Sequence, residues 1–433
     1  MRFLFSPSTR RPRLSTVSGW IAGLLTMCVV AACGGGGGSS SSSSSSTSTS
    51  AATSTIASAA TNVLTINVKQ GPKTGLVNPP FVTITVCAPG TSTCDTVSNV
   101  IVDTASVGLR VLASAVPNSL SALTRIQLAS SNYLGVCGQF LSGYTWGTGR
   151  LADITMSGET ASSVPIEVIA DSAAGSAPSG CSSTGTTAYT SAATLGGNAI
   201  LGVGTQMQDC GSSCASTPSS YYFGCSSTTA CTSPSTTAVP VAQQMTNPVS
   251  KFTTDNNGVI IELPVISDSG AATATGAMVF GIGTRSNNAL GSATVVQTDS
   301  AFNFKVTYNG TTNTSAFVDT GSSVYFFDDT SIPTCTASGY SSFFCPTSTV
   351  SRSVTFASNL SGQTGTYSST VNIANAVSTV GSKSYYAFND LGVQQSNMMD
   401  FGLPFFYGKN VFVKMESATN ARDGYLAFIS NVN

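Results

Sequence analysis

The sequence predicts an all-β fold, and three features predict it. Short runs rich in Val, Ile, Thr and aromatic residues recur from residue 62 onward, separated by Gly, Pro, Asn and Ser clusters. Long amphipathic helical periods are scarce. An apolar strand ending in Asp-Thr-small-Ser also occurs twice, as Ile101-Val102-Asp103-Thr104-Ala105-Ser106 and as Phe317-Val318-Asp319-Thr320-Gly321-Ser322. With 433 residues the chain is long enough for two buried cores. A duplicated β lobe is therefore expected, with residues 61–250 and 251–433 as its halves.

The first 33 residues read as an address label. Arg2, Arg10, Arg11 and Arg13 form a positive start, and Gly19 to Ala32 is an apolar run too short to span a bilayer. The segment ends Val30-Ala31-Ala32-Cys33, which resembles the lipobox of bacterial lipoproteins. That resemblance implies a lipidated Cys33 as the new N-terminus, a membrane contact through the lipid, and, with Gly34 following, sorting to the outer membrane. Residues 34–60 are Gly, Ser and Thr with almost nothing apolar, and such a stretch is expected to be a flexible tether.

Strands are expected in the order Val63 to Lys69, Phe81 to Cys87, Asn99 to Val102, Val164 to Ile169 and Val259 to Leu263. Phe302 to Tyr308, Ala316 to Val318 and Asn410 to Met415 continue the series. Beyond Cys28 and Cys33, ten cysteines remain, an even number in an exported chain, which favours disulfides. Spacing pairs Cys87 with Cys94 across a hairpin, and Cys335 with Cys345. Cys210, Cys214, Cys225 and Cys231 staple a Ser/Thr-rich insertion; zinc is the competing reading, disfavoured by the oxidising compartment.

Composition narrows the chemistry. Only 8% of residues are charged, with 17 Lys+Arg against 18 Asp+Glu, so no basic face exists for a nucleic acid. Histidine is absent, which removes His-based metal sites, Ser–His–Asp triads and Cys–His dyads. No metal or other cofactor is expected. Residue frequencies give about 0.1 expected Asp-Thr-Gly/Ala-Ser match, so two at strand ends is a strong signal. Two carboxyls held together share one proton: the ionised one takes a proton from water and the other donates to a carbonyl.

At these residues the chain resembles the pepsin-like, two-lobed aspartic peptidases. The resemblance implies a bilobal fold with a cleft between double β-barrels, Asp103 and Asp319 as the catalytic pair, and a peptide or protein substrate cut by a monomer. Ser106 and Ser322 match the hydroxyls beside the outer carboxylate oxygens, Thr104 and Thr320 the threonines that brace the two loops, and Gly321 the loop glycine. Trp146-Gly147-Thr148-Gly149 falls where that family has its flap hairpin, and Ala199 to Gly204 resembles the segment crossing behind the first loop. Phe280 to Asn288 and Phe401 to Lys409 also resemble a family of bacterial lipoproteins of unknown function.

Four departures from the pattern stand out. Ala105 replaces a glycine but keeps its N–H. Trp146 replaces a tyrosine, exchanging a donor-acceptor phenol for a donor-only indole. Arg110 stands where an apolar flap partner is usual, and is expected to stack on Trp146. Asp400 occupies a usually apolar position. Two other readings stay open: a fold kept for binding a peptide or glycan, and a structural envelope protein.

Overall fold

The computed structural model describes residues 55–430, apart from 130–131, 184–186, 228–230, 382–383 and 421. The expected signal segment, Cys33 and most of the expected tether lie outside the described residues.

The chain is all-β, and among the described residues no helix exceeds five residues. The first half contributes β1 (Val63–Val68), β2 (Pro80–Cys87), β3 (Cys94–Asp103), β4 (Val107–Leu112), β5 (Tyr133–Phe140) and β6 (Gly143–Met156). It continues with β7 (Glu159–Ile169), β8 (Thr187–Ala188), β9 (Ala199–Val203), β10 (Ser219–Cys225) and β11 (Ser235–Thr237). The second half contains β12 (Gly258–Leu263), β13 (Ala274–Phe280), β14 (Thr294–Gln297), β15 (Phe304–Tyr308), β16 (Thr311–Val318) and β17 (Tyr325–Phe327). It ends with β18 (Val350–Ala357), β19 (Thr366–Ile373), β20 (Gly392–Gln394), β21 (Met399–Phe401), β22 (Lys409–Lys414) and β23 (Tyr425–Ser430).

The alternation of β1 shows why these runs become strands. Ile66 and Val68 are buried on one face while Thr65 on the other is exposed and Asn67 half-buried, as a half-buried strand requires. In β4 all six residues are buried, because β7 and β9 flank it. The first sheet runs β11-β10-β5-β6-β7-β4-β9-β3-β2-β1-β13-β12-β22-β23-β14, with β8 beside β6. An added β2–β6 pairing closes β2, β3, β9, β4, β7 and β6 into a barrel, which removes the open edges of those strands. The second sheet, β19-β18-β15-β16-β21-β17-β20, stays open as a half-barrel. The two halves are joined by main-chain pairing: β1 lies antiparallel to β13 over Val63↔Val279 to Val68↔Ala274.

The repeated motif occupies the same topological place in both halves. In the first, β9 inserts between β3 and β4, parallel to β3 and antiparallel to β4, and β4 then runs parallel to β7. In the second, β21 inserts between β16 and β17 with the same senses, and β17 runs parallel to β20. Such an insertion brings one strand hard against the chain leaving each Asp-Thr loop, and glycine makes room there. A Cβ on Gly202 would lie 2.5 Å from Val107 N, and one on Gly402 2.2 Å from Val324 O.

Five disulfides staple the described chain. Cys87–Cys94 and Cys335–Cys345 pair as their spacing predicts, and the insertion carries Cys210–Cys214 and Cys225–Cys231. Cys137–Cys181, not anticipated from spacing, ties β5 to the segment before β8 across 44 residues. The insertion also feeds β10 onto β5, from Tyr222↔Val136 to Cys225↔Tyr133, so the β5–β6 hairpin is widened into a larger sheet.

Candidate active site

Each copy of the motif ends a buried strand and turns at once, so its Asp is delivered from the strand end into the interior. Asp103 and Asp319 are both fully buried. In the first loop Oδ1 of Asp103 accepts the Ala105 N–H at 2.9 Å; in the second, Oδ1 of Asp319 accepts the Gly321 N–H at 2.7 Å. Ala105 thus supplies the donor that the glycine supplies in the other loop.

The threonines lock the loops to each other. Thr320 Oγ1 accepts the Thr104 N–H at 3.1 Å and donates to the Val102 carbonyl at 2.7 Å. Reciprocally, Thr104 Oγ1 accepts the Thr320 N–H at 3.1 Å and donates to the Val318 carbonyl at 3.3 Å. Both hydroxyls are buried, so these four bonds satisfy groups that would otherwise be costly to bury.

This brace brings the carboxyls together. A Cβ on Gly321 would sit 2.9 Å from the carboxyl carbon of Asp103 and 3.0 Å from Oδ1 of Asp319. One absent methyl group therefore leaves the space that both carboxyls flank. Burial, and then the charge of Asp319, pushes Asp103 up to about 8. Burial works against the charge of Asp319, while the Gly321 N–H and the Ser322 hydroxyl favour its ionised form.

The supporting hydroxyls differ between the halves. Ser322 Oγ lies 2.9 Å from Oδ2 of Asp319 and 2.6 Å from Oδ2 of Asp400. Ser106 is near enough to Asp103 to favour its charge, yet Ser106 Oγ and Asp103 Oδ2 have no hydrogen-bond partner among the described residues.

Arg110 and Trp146 are engaged elsewhere. Arg110 is 1% exposed; its guanidinium meets Glu167 at 2.5 Å and Asp209 at 3.0 Å. The Thr145 hydroxyl also bonds Glu167, and the Tyr222 hydroxyl bonds Asp209. Burial raises Glu167 and pushes Asp209 up to about 6, with Arg110 opposing both. Trp146 and Thr145 alternate on β6, so Trp146 turns to the other face. It donates its indole N–H to the Ala174 carbonyl at 3.0 Å and packs edge-on against Phe223 at 5.3 Å. Gly147 is pressed against Val168 O, and Thr148 bonds Asp171 at 2.6 Å. The Trp-Gly-Thr-Gly run thus lies within β6, beyond the Leu141-Ser142 turn of the hairpin.

The structure therefore gathers Asp103, Thr104, Ser106, Asp319, Thr320, Gly321 and Ser322 at one point, and sets Arg110, Trp146, Gly147 and Thr148 in the β4–β7 and hairpin layers. Glu167 and Asp209 escaped sequence reasoning, although a glutamate inside the apolar run Val164 to Ile169 is the kind of signal that marks a buried charge pair. Among the described residues no cluster of three His, Cys, Asp or Glu is arranged to hold a metal ion.

A search of curated proteins finds no match to the chain. A family described as a protein of unknown function, DUF3443, matches residues 58–428, from ahead of β1 into β23 and through both Asp-Thr loops. That span takes in nearly all of the described fold, and the chain belongs to the DUF3443 family.

Proposed function

We propose that the protein is an aspartic endopeptidase with a pepsin-like, two-lobed fold, lipid-anchored through Cys33 to the bacterial envelope and held off the outer membrane by residues 34–60. The observation that carries this reading is the meeting of Asp103 and Asp319 across Gly321, on loops braced by Thr104 and Thr320. In this reading Asp319, the ionised member, takes a proton from the attacking water. Asp103, the protonated member, donates to the carbonyl oxygen of the scissile peptide, and the tetrahedral intermediate collapses as the proton passes to the leaving amine. Neither histidine nor a covalent intermediate is needed.

Incubating the disulfide-bonded protein with a diverse peptide mixture from acid to neutral pH, and reading new termini by mass spectrometry, tests the proposal. Wild type is expected to cut, and Asp103→Asn and Asp319→Asn to lose at least about 10³-fold in kcat/KM, the scale of removing a general acid or base. A folded wild type that cuts nothing at any pH rejects the peptidase. A second reading, a peptide- or glycan-binding protein on the same fold, draws on Trp146: its indole is tied to Ala174 in the turn after β7, which fixes the hairpin on that side. Ligand binding that survives Asp319→Asn, without cleavage, would favour it.

A further inference from the structure

We infer that Asn78 is a positioning residue of the carboxyl pair: it forms a second brace, separate from the paired threonines, that fixes the Asp319 loop of the second half to the strand pair delivering Asp103 in the first. Its catalytic consequence rests on the peptidase reading; the brace itself does not.

Asn78 lies in the connection between β1 and β2 of the first half, yet its side chain is bonded into the second. The amide N–H groups donate to the Ser323 carbonyl at 2.8 Å and to the Phe388 carbonyl at 2.9 Å. The amide oxygen accepts the Phe388 N–H at 2.8 Å and the Tyr407 hydroxyl at 3.1 Å. An asparagine amide has two donors and two lone pairs, so all four positions are filled, as a side chain 1% exposed requires. The main-chain N–H of Asn78 adds a bond to the Tyr386 carbonyl at 2.7 Å, and Val77 packs against the second-half cluster that holds Val324 and Phe388. One of these contacts bears on the Asp319 loop: Ser323 follows directly on Ser322, whose hydroxyl bonds Asp319. In the other direction Asn78 leads through Pro79 and Pro80, whose rings fix φ, into β2. There Phe81 pairs with Ile101, two residues before Asp103. A short, stiff path thus joins the two loops.

The topological repeat shows that the backbone alone does not call for this amide. An antiparallel hairpin delivers each Asp, β2–β3 in the first half and β15–β16 in the second. Asn78 stands two residues before β2 in the left-handed region, at φ 55°, and Phe302 stands two residues before β15 at φ 62°. A left-handed residue ahead of the hairpin is therefore common to both halves, and a phenylalanine meets it in the second, where asparagine would be the easier choice. A phenyl ring can make none of the four bonds that Asn78 makes. The threonines brace the loops reciprocally, whereas Asn78 braces them from the first half alone.

Hydrogen exchange of the full-length, disulfide-bonded protein, read peptide by peptide in a mass spectrometer, tests the brace without any need for cleavage. Asn78→Gly keeps the left-handed backbone and removes all four side-chain bonds. It is expected to speed exchange about 10-fold in residues 319–325, where the N–H groups of Asp319, Ser322 and Tyr325 are hydrogen-bonded, and also in 386–388, while the β6–β7 amides keep their wild-type rates. Faster exchange confined to 386–388, or spread equally over the molecule, overturns the inference. Should Asn78→Gly fail to fold, Asn78→Asp takes its place: it keeps an acceptor for Phe388 and Tyr407, but an ionised carboxyl has no hydrogen for Ser323, and the same pattern is expected. Tyr407→Phe spares both amide donors and should leave 319–325 at wild-type rates; a rise there equal to that of Asn78→Gly also overturns the inference. Where cleavage is observed, Asn78→Gly should lower kcat about 10-fold with KM unchanged, the mark of a displaced catalytic group, and an unchanged kcat overturns the positioning role. A wild type without cleavage rejects the peptidase alone, because the exchange pattern still decides the brace.

Discussion

Gly321 is the residue on which the carboxyl pair depends most directly, because the atom it lacks would occupy the space between the two carboxyls. Its φ lies outside the left-handed region, so alanine there meets no backbone strain. The cost falls on Asp103 and Asp319, whose nearest atoms would be 2.9 and 3.0 Å from the new methyl carbon. Gly321→Ala is accordingly expected to push the carboxyls apart by several tenths of an ångström and to reduce kcat by about 10²-fold, the scale set by small misplacements of catalytic groups. KM should change little, and steady-state kinetics on any cleaved peptide would separate the two. Ala105→Gly makes the complementary case: its N–H to Asp103 survives, and activity should stay within a few-fold of wild type. An active Gly321→Ala would mean that the pair is not where the chemistry happens.

At the scale of strands, the buried charges join elements that the main chain pairs only edge to edge. Arg110 on β4 meets Glu167 on β7 and Asp209 after β9, while Thr145 on β6 and Tyr222 on β10 close the network. The strand that leaves the Asp103 loop is thereby tied to the hairpin and to its inserted edge. Removing the cation alone would leave two carboxyls buried without a counter-charge, so Arg110→Met is expected to destabilise the protein by about 3–5 kcal/mol. Adding Glu167→Gln and Asp209→Asn to Arg110→Met should recover much of that loss in denaturant titrations. If Arg110→Met alone is neutral, the network contributes little to joining these strands. This network also marks the limit of what the sequence discloses. Strand runs, the two Asp-Thr loops and the local disulfides are legible because alternation, turn residues and short spacing are local signals. Arg110 reads locally as a partner for Trp146, but side-chain alternation along β6 sends Trp146 to one face and Thr145 to the other. Which face meets β4 is fixed by the β6–β7 and β4–β7 registers, and no short window of sequence contains those. Cys137–Cys181 is hidden for the same reason, since its partners are brought together by the sheet.

Taken as a whole, the molecule holds several carboxyls away from water, and this fixes how its stability should depend on pH. Burial, and secondarily Asp319, pushes Asp103 up to about 8; burial pushes Glu262 up to about 7 and Asp209 up to about 6. A raised carboxyl binds its proton more tightly in the folded state. Its contribution to stability is present in full below the unfolded value, 3.8 for Asp or 4.5 for Glu, and is lost as pH climbs through the folded value. Asp95, Asp171 and Asp329 have the opposite sign. Burial works against them, yet hydrogen bonds led by Ser119, Thr148 and Ser331 hold each below its ordinary value. Their contribution is present above 3.8 and is lost in stronger acid. Lys409, held down to about 8 by burial, adds stability only as pH rises beyond that value. With no histidine in the chain, no imidazole titrates between these limits. The expected Tm maximum therefore lies between about 4 and about 6, with a decline toward about 8. Calorimetric scans across that range check the expectation, and Asp103→Asn, which removes the most strongly raised of these carboxyls, should flatten the upper part of the decline. A wild-type Tm that climbs steadily from acid to pH about 8 would mean that the buried carboxyls are ionised throughout, and the shared proton of the Asp103–Asp319 pair would go with it.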